Sequence, residues 1–116
     1  MHIEAALAAF SSKSKPDYRN TVKEAISAVE AIAQRVTGKP KATLGDAIDV
    51  LDKKQTLHPA LRGAFDKLYG YANDSGGIRH ALTEGGREPT FDEAKFMLVA
   101  CAAFVNYVIG ELKVAP

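Results

Sequence analysis

At 116 residues, with 47% hydrophobic and 25% charged positions, the chain has the size and composition of one globular domain with a single modest core. Fifteen Lys and Arg against fourteen Asp and Glu leave a formal charge of +1, which excludes the global basic field that draws nucleic acid or anionic membranes, so any anion site has to be local. Cys101 is the only cysteine, which excludes an intrachain disulfide and a multi-cysteine zinc centre; with only three scattered histidines, no metal and no cofactor are expected.

The N-terminal Met1-His2-Ile3-Glu4 lacks the basic start of a signal peptide and the arginine-rich pattern of a transit peptide, and a cytoplasmic protein is the default expectation. His2 has no evident role. Ile3, Ala6, Leu7 and Phe10 mark a short first helix whose alanines leave its buried face vague. Ser14-Lys15-Pro16-Asp17 reads as a capping box, with proline suited to a first turn, and opens a long helix from about 15 to 37. Tyr18, Val22, Ile26, Val29, Ile32 or Ala33, and Val36 recur on one of its faces, and Gly38 followed by Pro40 supplies the stop.

Thr43-Leu44-Gly45-Asp46 is a second capping box before Leu44, Ala47, Ile48 and Leu51. Pro59, preceded by His58 as a capping or loop residue, starts another helix with Leu61, Ala64, Phe65, Leu68 and Tyr69 expected inward and a break from Tyr71. Residues 72–89 form the one long irregular stretch, and long loops in compact domains tend to be functional. Thr90-Phe91-Asp92-Glu93 is the third box. It opens the most apolar segment, where 96–105 holds no polar residue, so this last helix is expected either to lie surrounded at the bundle centre or to put one side in the core and one in a dimer interface. With about fourteen apolar residues it falls short of the roughly twenty that a bilayer span needs. Cys101, among Val99, Ala100, Ala102 and Ala103, reads as a buried inert thiol.

The candidate chemistry lies at 73–82. Gly76-Gly77 supplies a turn directly before Arg79 and His80, a permanent cation beside a group that titrates near neutrality. Asp74 can reach Arg79 across that turn, although Asn73, Asp74 and Ser75 are also ordinary turn formers. On the long helix, Asn20, Glu24 and Ser27 form a polar stripe that either meets Arg79 and His80, with Glu24 orienting one of them, or is a solvated flank. Tyr69 and Tyr71 fit closure of the bundle better than base stacking. Lys13, Lys15, Arg19 and Lys23 form a modest basic patch that suits a solvated face better than an RNA track.

Tyr18-Arg19-Asn20, the run from Lys23 to Glu30, Leu68-Tyr69-Gly70-Tyr71, Gly77-Ile78-Arg79-His80-Ala81-Leu82 and the run from Ala94 to Val99 together resemble the C-terminal domain of AbiJ-type abortive-infection proteins. That domain is in turn similar to the HEPN superfamily of helical bundles. The resemblance spans roughly 15–113 and implies a five-helix bundle, a place in phage defence and binding of RNA or a partner protein. It also implies an alternative activity, metal-independent RNA cleavage, with His80 as general acid or base and Arg79 steadying the phosphorane charge. The HEPN ribonuclease motif separates its Arg and His by four to six residues, whereas Arg79 and His80 are adjacent. Neighbours on a helix point about 100° apart, so one subunit cannot aim both at one phosphate, and a catalytically degenerate module is expected. A purely structural interaction or dimerisation domain is the third reading. A homodimer without membrane contact is the expected assembly.

Overall fold

The computed structural model describes residues 2–12, 16–53, 57–73 and 87–112. These form five helices: α1 (His2–Ser11), α2 (Tyr18–Thr37), α3 (Leu44–Lys53), α4 (Pro59–Asn73) and α5 (Phe91–Leu112). Among the described residues there is no strand, and the chain is an all-α bundle. The two long helices α2 and α5 pack against each other along their length, with α1 laid against α2 and touching α5. The shorter α3 leans on α2, and α4 packs on α3 and sets Phe65 and Tyr71 against α5.

Local chemistry sets most helix ends. Thr43 and Asp46 cap α3 reciprocally: the Thr43 amide donates to Asp46 Oδ2 at 3.0 Å and the Asp46 amide to Thr43 Oγ1 at 3.3 Å. Thr90 and Glu93 repeat the arrangement on α5, at 2.9 and 3.1 Å. His58 caps α4 by accepting the Ala60 amide on Nδ1 at 3.0 Å. The long helix departs from its expected start. It begins at Tyr18 with Asp17 as N-cap, whose Oδ1 accepts the Asn20 amide at 3.0 Å, rather than at Ser14. Pro16 thus precedes the helix, and Ser14 and Lys15 lie outside the described residues.

At the other end of α2, Gly38 adopts φ 72°, ψ 9° and returns its amide to Gln34 O at 2.8 Å. An added Cβ there meets nothing within 4 Å, so the cost of a side chain is backbone strain alone. Gly38→Ala is expected to destabilise the chain by about 1 kcal/mol, measured as a shift of the urea midpoint at unchanged slope.

The core is built mainly from α2, α3 and α5. Val22, Ala25, Val29, Ile32 and Ala33 of α2 meet Ala47, Ile48 and Leu51 of α3 and Met97, Leu98, Cys101, Phe104 and Val108 of α5 in one cluster. Thr21 is the one buried polar side chain among the described residues, and its hydroxyl donates to Asp17 O at 2.9 Å, so nothing polar is stranded. Two inward assignments and one helix end change. Leu7 of α1 is 54% exposed, Ala64 of α4 is exposed, and α4 runs past Tyr71 to Asn73 with no fully buried residue among its described side chains.

The largest departure concerns α5. It is 22 residues long and, by length and composition, long and apolar enough to cross a membrane, which corrects the shorter sequence estimate. Nor is it surrounded by the bundle. Ala94, Met97, Leu98, Cys101, Phe104 and Val108 turn inward, while Phe96 and Val99 are 52% and 60% exposed on the opposite side. A run of apolar residues carries no phase of its own, and only the packing of α1, α2 and α4 on one side decides which residues remain outside.

Candidate functional site

Of the sequence-derived site, α2 places Asn20, Glu24 and Ser27, all half-buried, along one flank. Arg79, His80 and Asp74 lie outside the described residues, as do the Gly76-Gly77 turn and the side chain of Tyr69. The structure gives Glu24 a partner that sequence reasoning left without a role: His2 of α1, whose Nδ1 meets Glu24 Oε2. This contact ties the start of α1 to the middle of α2. Nothing in a lone terminal histidine signals it, because the two residues are twenty-two positions apart and only the return of α1 along α2 brings them together.

Beside that pair, α1, α2 and α5 enclose an open groove of about 910 Å³. Its walls are largely apolar, with Ile3, Ala28, Ile32, Val105 and Ile109 alongside His2 and Glu24. Asn20 and Ser27 do not line it.

Three described arginines, Arg19, Arg62 and Arg87, are engaged with carboxylates. Arg62 is held by Asp49 at 2.9 Å and Asp52 at 2.7 Å from α3, with Asp66 one turn along α4 at 3.7 Å. Hydrogen bonding to Asp49 leads the upward shift of its pKa, keeping the guanidinium charged. Arg19 meets Glu88 at 2.9 Å, which removes the central charge of the modest basic patch; Lys13 and Lys15 lie outside the described residues. Arg87 grips Glu93 through two contacts of 2.7 Å. That fork, together with the Thr90 amide, holds the Glu93 carboxyl at about 2, against the opposing effect of partial burial. Among the described residues no three His, Cys, Asp or Glu side chains converge to hold a metal ion.

The depressed Glu93 value sets a sign for acid stability. A carboxyl whose folded pKa lies below its unfolded one stabilises the fold above the unfolded value near 4.5, and the contribution fades as pH falls toward 2. Glu93→Gln is therefore expected to lower the melting temperature by about 5 °C at pH 7 and to narrow its distance from the parent between pH 4.5 and 2. Thermal melts of both proteins across that range check this; a constant offset would mean that the fork adds nothing.

Cys101 is 3% exposed, and burial pushes its thiol up to about 12, so it is no nucleophile near neutrality, as its apolar neighbours imply.

Two aromatic groups join the helices at this end, the first of them unmarked in the sequence. Phe10, Tyr18 and Phe91 meet where α1, α2 and α5 converge, with the Phe10 and Phe91 rings stacked at 5.1 Å. Tyr71 of α4 sets its ring edge against exposed Phe96 at 5.9 Å, consistent with bundle closure. The rest of the outward side of α5 carries Val99, Ala103 and Gly110 together with the polar Asp92 and Asn106.

No protein-family model, curated protein or solved structure matches the chain.

Proposed function

We propose that this chain is a small HEPN-like helical module that works by binding another protein through the outward side of α5, not by cutting RNA on its own. The single observation that carries this is the row on α5 where Phe96 and Val99 stand more than half exposed, flanked by small residues, on a helix whose other side is fully committed to the core. Exposed large apolar side chains arranged contiguously mark association surfaces. The carboxylate engagement of Arg19, Arg62 and Arg87 supports the same choice over RNA, since a polyanion would have to displace those carboxylates first. The resemblance to AbiJ-type domains supports phage defence as the setting, and the adjacent Arg79 and His80 support the degenerate reading over the ribonuclease one.

A photo-reactive benzophenone side chain placed at Val99 tests this in cells. Illumination is expected to join the chain to protein, and the joined product is expected to vanish when Phe96 is changed to Glu. Two outcomes overturn the reading: an adduct to RNA, or no protein adduct together with co-flotation of the chain with phospholipid vesicles, which would assign the α5 face to a bilayer.

A further inference from the structure

Glu24, Ala28, Ala31 and Arg35 follow one another along α2 at intervals of four, three and four residues, and all four line the groove beside α1. They share one face of that helix, so the groove runs along α2 for about three turns, or about 16 Å. Its other long wall is α5, through Val105 and Ile109, which lie on a different side of that helix from Phe96 and Val99. The first turn of α1 closes one end only. This helix runs back along α2, with Phe10 against Tyr18 and His2 against Glu24. Past His2, the first residue of the described helix, the seam between α2 and α5 continues, and Ala31 and Arg35 are exposed there.

Dimensions and lining decide what fits. A helix about 10 Å across occupies about 1,300 Å³ over three turns. A groove of about 910 Å³ therefore takes in most of one laid lengthwise and leaves its outer side in water. Ala28 and Ala31 let a second backbone come close to α2, and the surrounding Ile3, Ile32, Val105 and Ile109 are aliphatic, suited to leucine, isoleucine or methionine anchors. The described α1 uses the same kind of seat, with small Ala6 fully buried and Phe10 packed on the core one turn away. The charged groups stand at the two ends. Glu24 has His2 as its counter-group, whereas Arg35 at the opposite end presents a guanidinium whose five donors exceed what one carboxylate takes. An acidic side chain on the occupant is attracted at the Arg35 end and repelled at the Glu24 end.

From these observations we infer that the groove is a docking site for an amphipathic helix of another protein, about three turns long, with aliphatic residues at intervals of three and four and an acidic residue at the end over Arg35. This surface is separate from the outward side of α5, and the inference stands whether or not that side binds a partner. So short a helix buries less than a standard interface, and micromolar affinity is expected.

Selection on the immobilised protein from a displayed library of randomised helical peptides, each about twelve residues long, tests it. The winners are expected to carry the aliphatic spacing and an Asp or Glu near one end. A winner labelled with fluorescein is expected to lose at least about tenfold in affinity for Ala31→Trp, which fills the groove from an exposed position. Arg35→Glu is expected to weaken the same peptide about fivefold, and changing the peptide's acidic residue to Lys to recover the loss. Both positions are exposed, and retained helical circular dichroism separates lost binding from a lost fold. Phe96→Glu is expected to change nothing, which keeps this site distinct from the α5 surface. The absence of any enriched helix, or winners indifferent to Ala31→Trp, overturns the inference. So does a small apolar molecule that native mass spectrometry finds on the purified protein and that Ala31→Trp expels, or a doubled mass that Ala31→Trp abolishes, which would give the groove to a second copy.

Discussion

Replacing Phe104 with alanine is expected to cost about 3–5 kcal/mol, a large part of the stability of a domain this size. Phe104 is 1% exposed near the middle of the inward side of α5. Its ring meets Phe65 edge-on at 4.9 Å, and Phe65 also faces Tyr107 at 5.8 Å. This group is the principal aromatic bond between α4 and the rest of the bundle, because α4 offers no fully buried residue among its described side chains. Truncating Phe104 removes the transfer energy of the ring, opens a cavity in the core, and leaves Phe65 without its edge-on partner. Phe96→Ala, eight residues earlier on the same helix, is expected to change stability by less than about 1 kcal/mol, since its ring is half in water and touches only Tyr71 among the described rings. Urea titrations of the two variants give the contrast directly. Equal losses would mean that α5 is buried on all sides.

The second large effect is expected at Ile48. It is fully buried at the centre of α3, with Ala47 and Leu51 beside it, and these side chains are the means by which ten residues of helix hold to α2. A helix of that length is not stable in water by itself, so its structure depends on this contact. Ile48→Ala is expected to cost about 2–4 kcal/mol and to raise amide exchange across α3, and across the α4 that packs on it, more than across α2 and α5. Uniform exchange throughout would show that α3 is not the link.

Much of the fold was legible because its signals are local. The Thr43–Asp46 and Thr90–Glu93 boxes, the His58-Pro59 start and the Gly38 stop each act within four residues, and the structure shows each in place. The Ser14–Asp17 box failed because two adjacent candidate caps competed. Asp17, beyond the proline, accepts the Asn20 amide, so the helix starts three residues later than a cap at Ser14 implies. The facing of α5 was not legible for a different reason. Where every residue from 96 to 105 is apolar or small, hydropathy has no period, and the choice of inward side is made by Phe65, Val22 and Ile32 on other helices. Similarly, no local rule links His2 to Glu24, and the stripe of Asn20, Glu24 and Ser27 showed a polar flank without its partners. Arg79, His80 and Asp74, the residues on which the sequence placed its chemistry, lie outside the described residues.

Sedimentation equilibrium at high micromolar concentration tests most directly whether the outward side of α5 binds protein, with the homodimer expected from the sequence as the case to be measured. The expected result is a mass approaching twice the 12.4 kDa of the chain, falling to the single-chain value for Phe96→Glu, whose helical circular dichroism is retained. A single-chain mass for the unmodified protein, or a dimer that Phe96→Glu leaves intact, would contradict it.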